Sequence, residues 1–106
     1  MGFRIHPIFI NDENNIMKNK FMELLKKNCN WNYCFITHSM WDNLLACYLD
    51  LDFYYLMEEQ TITLDKIKYI KNTIKKLDTK FNENILNIVS AFINVSLELG
   101  IEWTIY

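Results

Sequence analysis

Apolar and polar residues alternate at both ends of the chain. Residues 3–10 place apolar side chains on either side of an arginine and a histidine, which predicts an opening strand in which Pro7 favours an edge position or an irregularity. Residues 101–105 alternate in the same way and predict a closing strand. Each strand has one apolar face that needs a partner, and the simplest partner is the other terminal strand. Residues 31–37 form a third, weaker strand candidate.

Helical periodicity appears between the terminal strands. Asn11 or Asp12 can cap a first helix that runs to about Asn28. The apolar face of this helix holds Ile16, Met17, Phe21, Leu24 and Leu25. Ser39 can cap a second helix, because Asp42 follows it in a weaker form of the capping box.

Two further helices follow in the second half of the chain. Thr63 or Thr61 starts the third, whose apolar positions recur every three or four residues at Leu64, Ile67, Ile70, Ile74, Leu77 and Phe81. The fourth runs from about Asn82 to Leu99 and is apolar nearly all round, which predicts a central helix. Gly100 then suits the left-handed position that ends a helix.

These elements predict an α+β fold in which about four helices pack on a small antiparallel sheet that includes both chain termini. A chain of 106 residues indicates one domain, residues 1–106. A domain of this size buries roughly 65% of the surface that its unfolded chain exposes. The chain has only two Gly and one Pro, which leaves little room for the many turns of a β-sandwich.

Cysteine content and hydropathy favour a cytoplasmic protein without a membrane anchor. The three cysteines are an odd number, and the apolar run near the start is short and contains Arg4, His6 and Pro7, unlike a signal peptide. No stretch of about 18 apolar residues, the length that spans a bilayer, occurs in the sequence. We therefore predict no membrane partner.

Charge is distributed very unevenly. Residues 28–65, called the acidic segment below, contain no Lys or Arg, six carboxylates and eight aromatic residues. Their net charge is −6, against +2 for residues 1–27, +5 for residues 66–80 and −3 for residues 81–106. Such a segment attracts a basic surface and repels nucleic acid. We therefore predict a basic protein partner and no nucleic-acid partner.

The second helix would have two different sides when its residues are placed 100° apart. One side is apolar and contains Trp41, Leu44, Leu45, Tyr48, Tyr55 and Leu56. The outer side is acidic and aromatic together, a composition typical of recognition surfaces. The candidate partner-binding residues on it are Asp42, Asp50, Phe53, Tyr54 and Glu58.

Two observations leave an alternative open for this helix. Phe53 and Tyr54 could instead be buried by a neighbouring element or a dimer partner, since two-sided helices are common in apolar chains. Asp52 falls within the apolar stripe, so either the helix breaks near it or the helical register differs there.

A metal site and a nucleophilic enzyme are weaker interpretations of the same sequence. Cys29, Cys34 and His38 have the spacing C-x4-C-x3-H, and Cys47 could add a fourth ligand, but bulky apolar flanks favour ordinary buried thiols. Ser39 beside His38 is explained by helix capping, and no oxyanion-forming glycines accompany it. We therefore predict no catalytic residue, no metal and no cofactor.

Two remaining clusters have ordinary explanations. The pair formed by Asp50 and Asp52 lacks the glycine and terminal Glu of a calcium loop, and it is a weak acid/base pair for glycosides. Lys68, Lys75 and Lys76 could neutralise phosphates, yet charged residues opposite an apolar stripe are what any amphipathic helix shows. We therefore predict a solvated helix face there.

The chain as a whole resembles bacterial immunity proteins that neutralise toxins, such as those of contact-dependent growth inhibition systems. The resemblance lies in a short, acidic chain with the composition of an AT-rich gene and an acidic, aromatic stretch, formed by Trp31, Tyr33, Phe35, Trp41, Asp42, Tyr48, Asp50, Asp52, Phe53, Tyr54, Tyr55, Glu58 and Glu59. It implies a non-enzymatic inhibitor that occludes the active site of a cationic, nuclease-type toxin domain in place of the RNA or DNA substrate. The alternative is a phage-encoded inhibitor or a small regulatory binding subunit.

Overall fold

A computed structural model describes residues 4–41, 61–75 and 83–106. Within these ranges the elements in chain order are β1 (Arg4–Pro7), α1 (Ile16–Asn28), β2 (Ile36–Thr37), α2 (His38–Trp41), β3 (Thr61–Ile62), α3 (Leu64–Ile74), α4 (Glu83–Leu99) and β4 (Trp103–Ile105). The described residues form four helices and one antiparallel sheet of four strands, which confirms the predicted α+β class.

The two terminal strands pair at the centre of the sheet, whose strand order is β2-β1-β4-β3. Ile5 lies opposite Ile105, and Pro7 lies opposite Trp103. Ile5 and Trp103 are both fully buried on the face of the sheet that α4 covers. The prediction that the terminal strands pair with each other is confirmed.

Pro7 does not mark an edge strand, so that part of the prediction is wrong: β1 lies between β2 and β4. The N–H groups of Arg4 and Ile8 donate to carbonyl groups on the β4 side, at 2.9 and 2.8 Å. Because N–H groups alternate in direction along a strand, the nitrogen of Pro7 faces the β2 side. β2 pairs only with Arg4 and Ile5, so Pro7 costs the sheet no hydrogen bond there.

Asp12, one of the two predicted capping residues, caps α1, but the helix starts further along the chain than a cap at that position implies. The helix starts at Ile16, and the carboxylate of Asp12 accepts two backbone N–H groups of the first turn at 2.9 and 3.0 Å. Ile16 is 65% exposed, so its place on the predicted apolar face is wrong. The fully buried residues of this helix are Phe21 and Leu25.

The start of α2 differs from its prediction by two residues. The helix begins at His38, and the hydroxyl of Thr37 accepts the N–H of Met40 at 3.2 Å. Thr37 therefore does the capping that Ser39 was expected to do. The strand before it is also shorter than residues 31–37, because only Ile36 and Thr37 pair with β1.

The predictions for α3 and α4 are confirmed where the structure describes them. The hydroxyl of Thr63 accepts the N–H of Lys66 at 3.4 Å and caps α3. α4 contacts α1, α2 and α3, as expected of a central helix, and Gly100 follows it with a left-handed φ of 67°. Leu77 and Phe81 lie outside the described residues. None of the helices within the described ranges is long and apolar enough to cross a membrane.

Ser96 is the polar residue that is fully buried among the described residues. Its hydroxyl donates to the carbonyl of Phe92 at 2.7 Å and accepts the indole N–H of Trp103 at 2.8 Å. This bond allows a large aromatic residue of the closing strand to be buried against α4 with its polar atom satisfied.

Replacing Ser96 by alanine should destabilise the protein by about 1–3 kcal/mol, because the buried indole N–H of Trp103 loses its acceptor. Chemical denaturation followed by circular dichroism measures the change. Ser90→Ala, at a half-buried position of the same helix, is the matched control and should change stability by less than about 0.5 kcal/mol. Equal effects of the two substitutions would contradict the role given to Ser96.

Candidate binding surface

The five predicted partner-binding residues lie together in one stretch of the chain that the structure does not describe. Asp42, Asp50, Phe53, Tyr54 and Glu58 all fall within residues 42–60, outside the described residues. Their exposure, and the possible burial of Phe53 and Tyr54, therefore stay predictions. Asp52 and Cys47 fall in the same stretch.

Both flanks of this stretch are held by the sheet and the core. Before it, Met40 and Trp41 are buried at the end of α2, directly after β2. After it, β3 pairs with β4, and Ile62 is fully buried. Since β2 and β3 are the two edges of the described sheet, the strands nearest to the two ends of this stretch lie at opposite edges of the sheet.

Three aromatic residues of the acidic segment form a surface cluster just before β2. This aromatic cluster consists of Trp31, Tyr33 and Phe35. The Trp31 and Tyr33 ring centroids are 5.0 Å apart, and those of Tyr33 and Phe35 are 5.4 Å apart. The indole N–H of Trp31 donates to the carbonyl of Phe35 at 2.8 Å and closes the loop. Tyr33 remains 55% exposed, so the cluster presents an aromatic ring to solvent.

The outer side of β1 extends this aromatic surface. Arg4 and His6 point away from the core, as the alternation with Ile5 predicts. The Arg4 guanidinium carbon lies 4.3 Å from the Phe35 ring centre, a cation–π contact. The His6 ring stacks on Tyr106, with centroids 3.9 Å apart and planes 3° from parallel. The Arg4 guanidinium and aromatic rings from β1, the loop before β2 and the end of the described chain therefore share one surface.

A groove of about 520 Å³ opens at this surface. Among its lining residues are Arg4, His6, Lys18, Asn32, Tyr33, Cys34, Phe35 and Tyr106. They come from β1, α1, the loop before β2 and the last residue after β4. Within the described part of the chain, no Asp or Glu side chain lines the groove, and Arg4 and Lys18 are the permanently charged side chains that do.

Burial changes the titration of two side chains in the groove. It lowers the pKa of His6 below the ordinary 6.5, and the nearby Arg4 guanidinium lowers it further. Burial also raises the pKa of Cys34 to about 11, although Lys18 acts in the opposite direction. At neutral pH His6 is therefore mainly uncharged and Cys34 is a thiol, which is the unreactive form of cysteine.

We expect NMR titration of the His6 ring protons to give a pKa below 6.5, and Arg4→Gln to raise it only partly, because burial is the larger cause. Since the folded-state pKa is below the unfolded one, the unfolded chain binds more protons between the two values. The contribution of His6 to stability is therefore complete above pH 6.5 and decreases as the pH falls toward the folded-state pKa. A His6 pKa of 6.5 or higher would contradict the geometry.

The structure does not bring Cys29 and Cys34, two of the candidate metal ligands, into one site. Cys34 lines the groove, whereas Cys29 lines a separate cavity with Lys26 and Lys27. The Cys29 thiol donates to the Leu25 carbonyl at 3.5 Å. Among the described residues, no group of three or more His, Cys, Asp or Glu side chains could hold a metal ion.

The lysines considered for nucleic-acid binding lie on the solvent side of α3. Lys68 and Lys75 are exposed, and Lys76 lies outside the described residues. The opposite side of the helix is buried through Ile67, Ile70 and Ile74. This is the arrangement of an amphipathic helix with a solvated face, as predicted.

Sequence reasoning did not single out the groove. Its lining residues come from four distant positions in the chain, and no periodic pattern connects Arg4 with Lys18 or Tyr106. The one available signal was the outward position of Arg4 and His6 on β1, which the alternation of residues 3–10 does predict.

Comparison with known proteins does not place the chain in a family. No family model matches it, and neither a curated protein nor a solved structure matches it.

Proposed function

We propose that this protein is a non-enzymatic, cytoplasmic binding protein that neutralises a basic protein partner. The partner that fits best is a bacterial toxin domain of nuclease type, whose active site the acidic segment occludes, as in the immunity proteins that the chain resembles. The observation that carries the proposal is charge: residues 28–65 contain six carboxylates and no Lys or Arg. A nuclease surface must be basic to hold phosphates, so an acidic segment complements it.

The aromatic content of the same segment supports anchoring as well as attraction. Tyr48, Phe53, Tyr54 and Tyr55 fall among its carboxylates in the sequence, between Asp42 and Glu58. Aromatic side chains bury a large area with few rotatable bonds and are enriched at the centres of protein interfaces. Charge can thus bring the partner to the surface, and aromatic contacts can keep it there.

The rival functions receive less support from the described residues. A cysteine nucleophile needs a lowered pKa, whereas burial raises that of Cys34 to about 11. A phage-encoded inhibitor or a regulatory subunit would use the same acidic segment on a different target, so the identity of the partner separates these cases.

The test is neutralisation of the toxin encoded beside this gene. Co-expression should restore growth of cells that make the toxin, and the two purified proteins should form a complex that weakens as salt concentration rises. A catalytically inactive toxin is the control, because it should still bind although it no longer kills. If no neighbouring toxin binds, the immunity assignment is wrong, and a complex with another basic protein would favour the inhibitor or regulatory alternative.

A further inference from the structure

The groove beside β1 has the size and lining of a small-molecule site. Its volume of about 520 Å³ falls within the range of roughly 300–1,000 Å³ that is usual for ligand pockets. Aromatic and apolar side chains, among them Phe9, Met22 and Phe35, form part of its walls, and polar groups such as the side-chain amide of Asn32 lie among them. A combination of apolar walls and polar groups is typical of sites that orient a small ligand.

The permanently charged side chains that line the groove are both cations. Arg4 and Lys18 both line it, and neither forms an ion pair with another residue that the structure describes. In the described ranges the one such pair, Lys27 with Glu23, lies on the exposed side of α1. Two cationic side chains that share one concave surface without an Asp or Glu side chain attract an anion and raise its local concentration.

Arg4 is held in a position that leaves its hydrogen-bond donors available. Its guanidinium carbon lies 4.3 Å from the Phe35 ring centre, so the ring supports the group by a cation–π contact. That contact uses no N–H group of the guanidinium. The remaining donors have the fork geometry that binds carboxylate or phosphate oxygens in pairs.

The groove also offers ring faces to a planar group. Tyr106 stacks on His6 through one face and is 68% exposed, and Tyr33, whose ring centre lies 5.4 Å from that of Phe35, is 55% exposed. A planar ring can stack on such a surface, and base stacking on aromatic side chains is worth about 1–3 kcal/mol per base.

We infer that this groove binds a small aromatic anion in which a planar ring is joined to a phosphate, as in a nucleoside monophosphate. Arg4 and Lys18 take the phosphate, and the ring lies against Tyr33 or Tyr106. Two cations match the charge of a phosphate better than that of a single carboxylate. The inference goes beyond the toxin-neutralising function and depends on no residue between 42 and 60.

The experiment is an NMR titration of the isolated full-length protein with AMP and UMP. We expect saturable shifts at residues of the groove, with a Kd below about 1 mM. Adenosine and inorganic phosphate, which each carry half of the proposed ligand, should bind at least about tenfold more weakly. Indole-3-acetate tests the aromatic carboxylates, and binding as tight as that of AMP would overturn the preference for phosphate.

Single substitutions assign the roles. Lys18→Met and Arg4→Gln should each weaken AMP binding by about tenfold, the effect expected from losing one charge-assisted contact. Lys20→Met removes an exposed lysine of α1 that does not line the groove, and it should leave binding unchanged. Tyr33→Leu and Tyr106→Leu should weaken AMP without changing the affinity for inorganic phosphate.

Folding controls keep the test decisive. Lys18 is exposed, so Lys18→Met should keep the unfolding midpoint of the parent even if Arg4→Gln loses its contact with Phe35 and destabilises the protein. The inference is overturned if AMP and UMP cause no saturable shifts at millimolar concentration. It is equally overturned if a folded Lys18→Met protein binds AMP as well as the parent does.

Discussion

Deletion of residues 101–106 is expected to leave the chain largely unfolded. The deletion removes β4, which lies between β1 and β3, so both neighbours lose their hydrogen-bonding partner. It also removes Trp103, which is fully buried and lies 5.5 Å from Phe92 between ring centres, and Ile101, which is 5% exposed. Truncation of a buried tryptophan alone costs about 3–5 kcal/mol, against a total stability of about 5–15 kcal/mol for a typical domain.

Guanidinium denaturation followed by circular dichroism and by tryptophan fluorescence would measure this effect. Trp103→Ala provides the intermediate case and should lower the free energy of unfolding by about 3–5 kcal/mol. Ile10→Ser is the matched control, since Ile10 is 78% exposed and its replacement should change stability by less than about 0.5 kcal/mol. A deleted chain that unfolds at the same denaturant concentration as the parent would refute the central position of β4.

The fold could be predicted where the local sequence pattern and the tertiary packing favour the same arrangement. The terminal strands each have one apolar face, so their pairing follows from alternation alone, and the positive φ of Gly100 follows from its place after an apolar helix. The order of the strands could not be predicted in this way. Pro7 predicted an edge strand. A proline is tolerated wherever its nitrogen faces no hydrogen-bonding partner, and for Pro7 this depends on where β2 ends, because its nitrogen faces β2.

The exact first residue of a helix could not be predicted from the sequence alone either. Ser39 and Thr37 are both capping residue types two positions apart, and the chain uses Thr37, which is the last residue of the strand paired with β1. Pairing therefore decides between two locally equivalent caps. The same limit applies to the candidate site. The acidic segment can be recognised in the sequence, whereas the groove forms only in the folded protein, which places Arg4 near Phe35 and Tyr106.

Reversal of Asp42, Asp50 and Glu58 to Lys is expected to slow association with the toxin by about 10- to 1,000-fold, because complementary charge steers encounter. The three substitutions change the net charge of the acidic segment from −6 to zero. The effect should shrink as ionic strength rises, since salt screens charges separated by more than about 10 Å at 0.1 M. Stopped-flow kinetics at several salt concentrations measures the association rate.

A matched control separates the local charge from the charge of the whole protein. Glu13, Glu23 and Glu98 are exposed and lie outside the acidic segment, and their reversal to Lys changes the net charge by the same amount. If steering is local to the proposed face, this control should slow association much less than reversal of Asp42, Asp50 and Glu58. Equal slowing by the two triple variants would show that net charge alone matters.

Replacing Phe53 or Tyr54 by alanine should mainly raise the dissociation rate of the complex and not lower its association rate. An aromatic anchor at an interface centre contributes about 2 kcal/mol or more, which appears mostly in the dissociation rate. Each variant must first be shown to fold with the stability of the parent, because burial of these two rings inside the protein would lower stability instead. If the affinity of the complex does not change with salt concentration, with the three charge reversals or with either alanine substitution, the outer face of residues 39–59 is not the binding site.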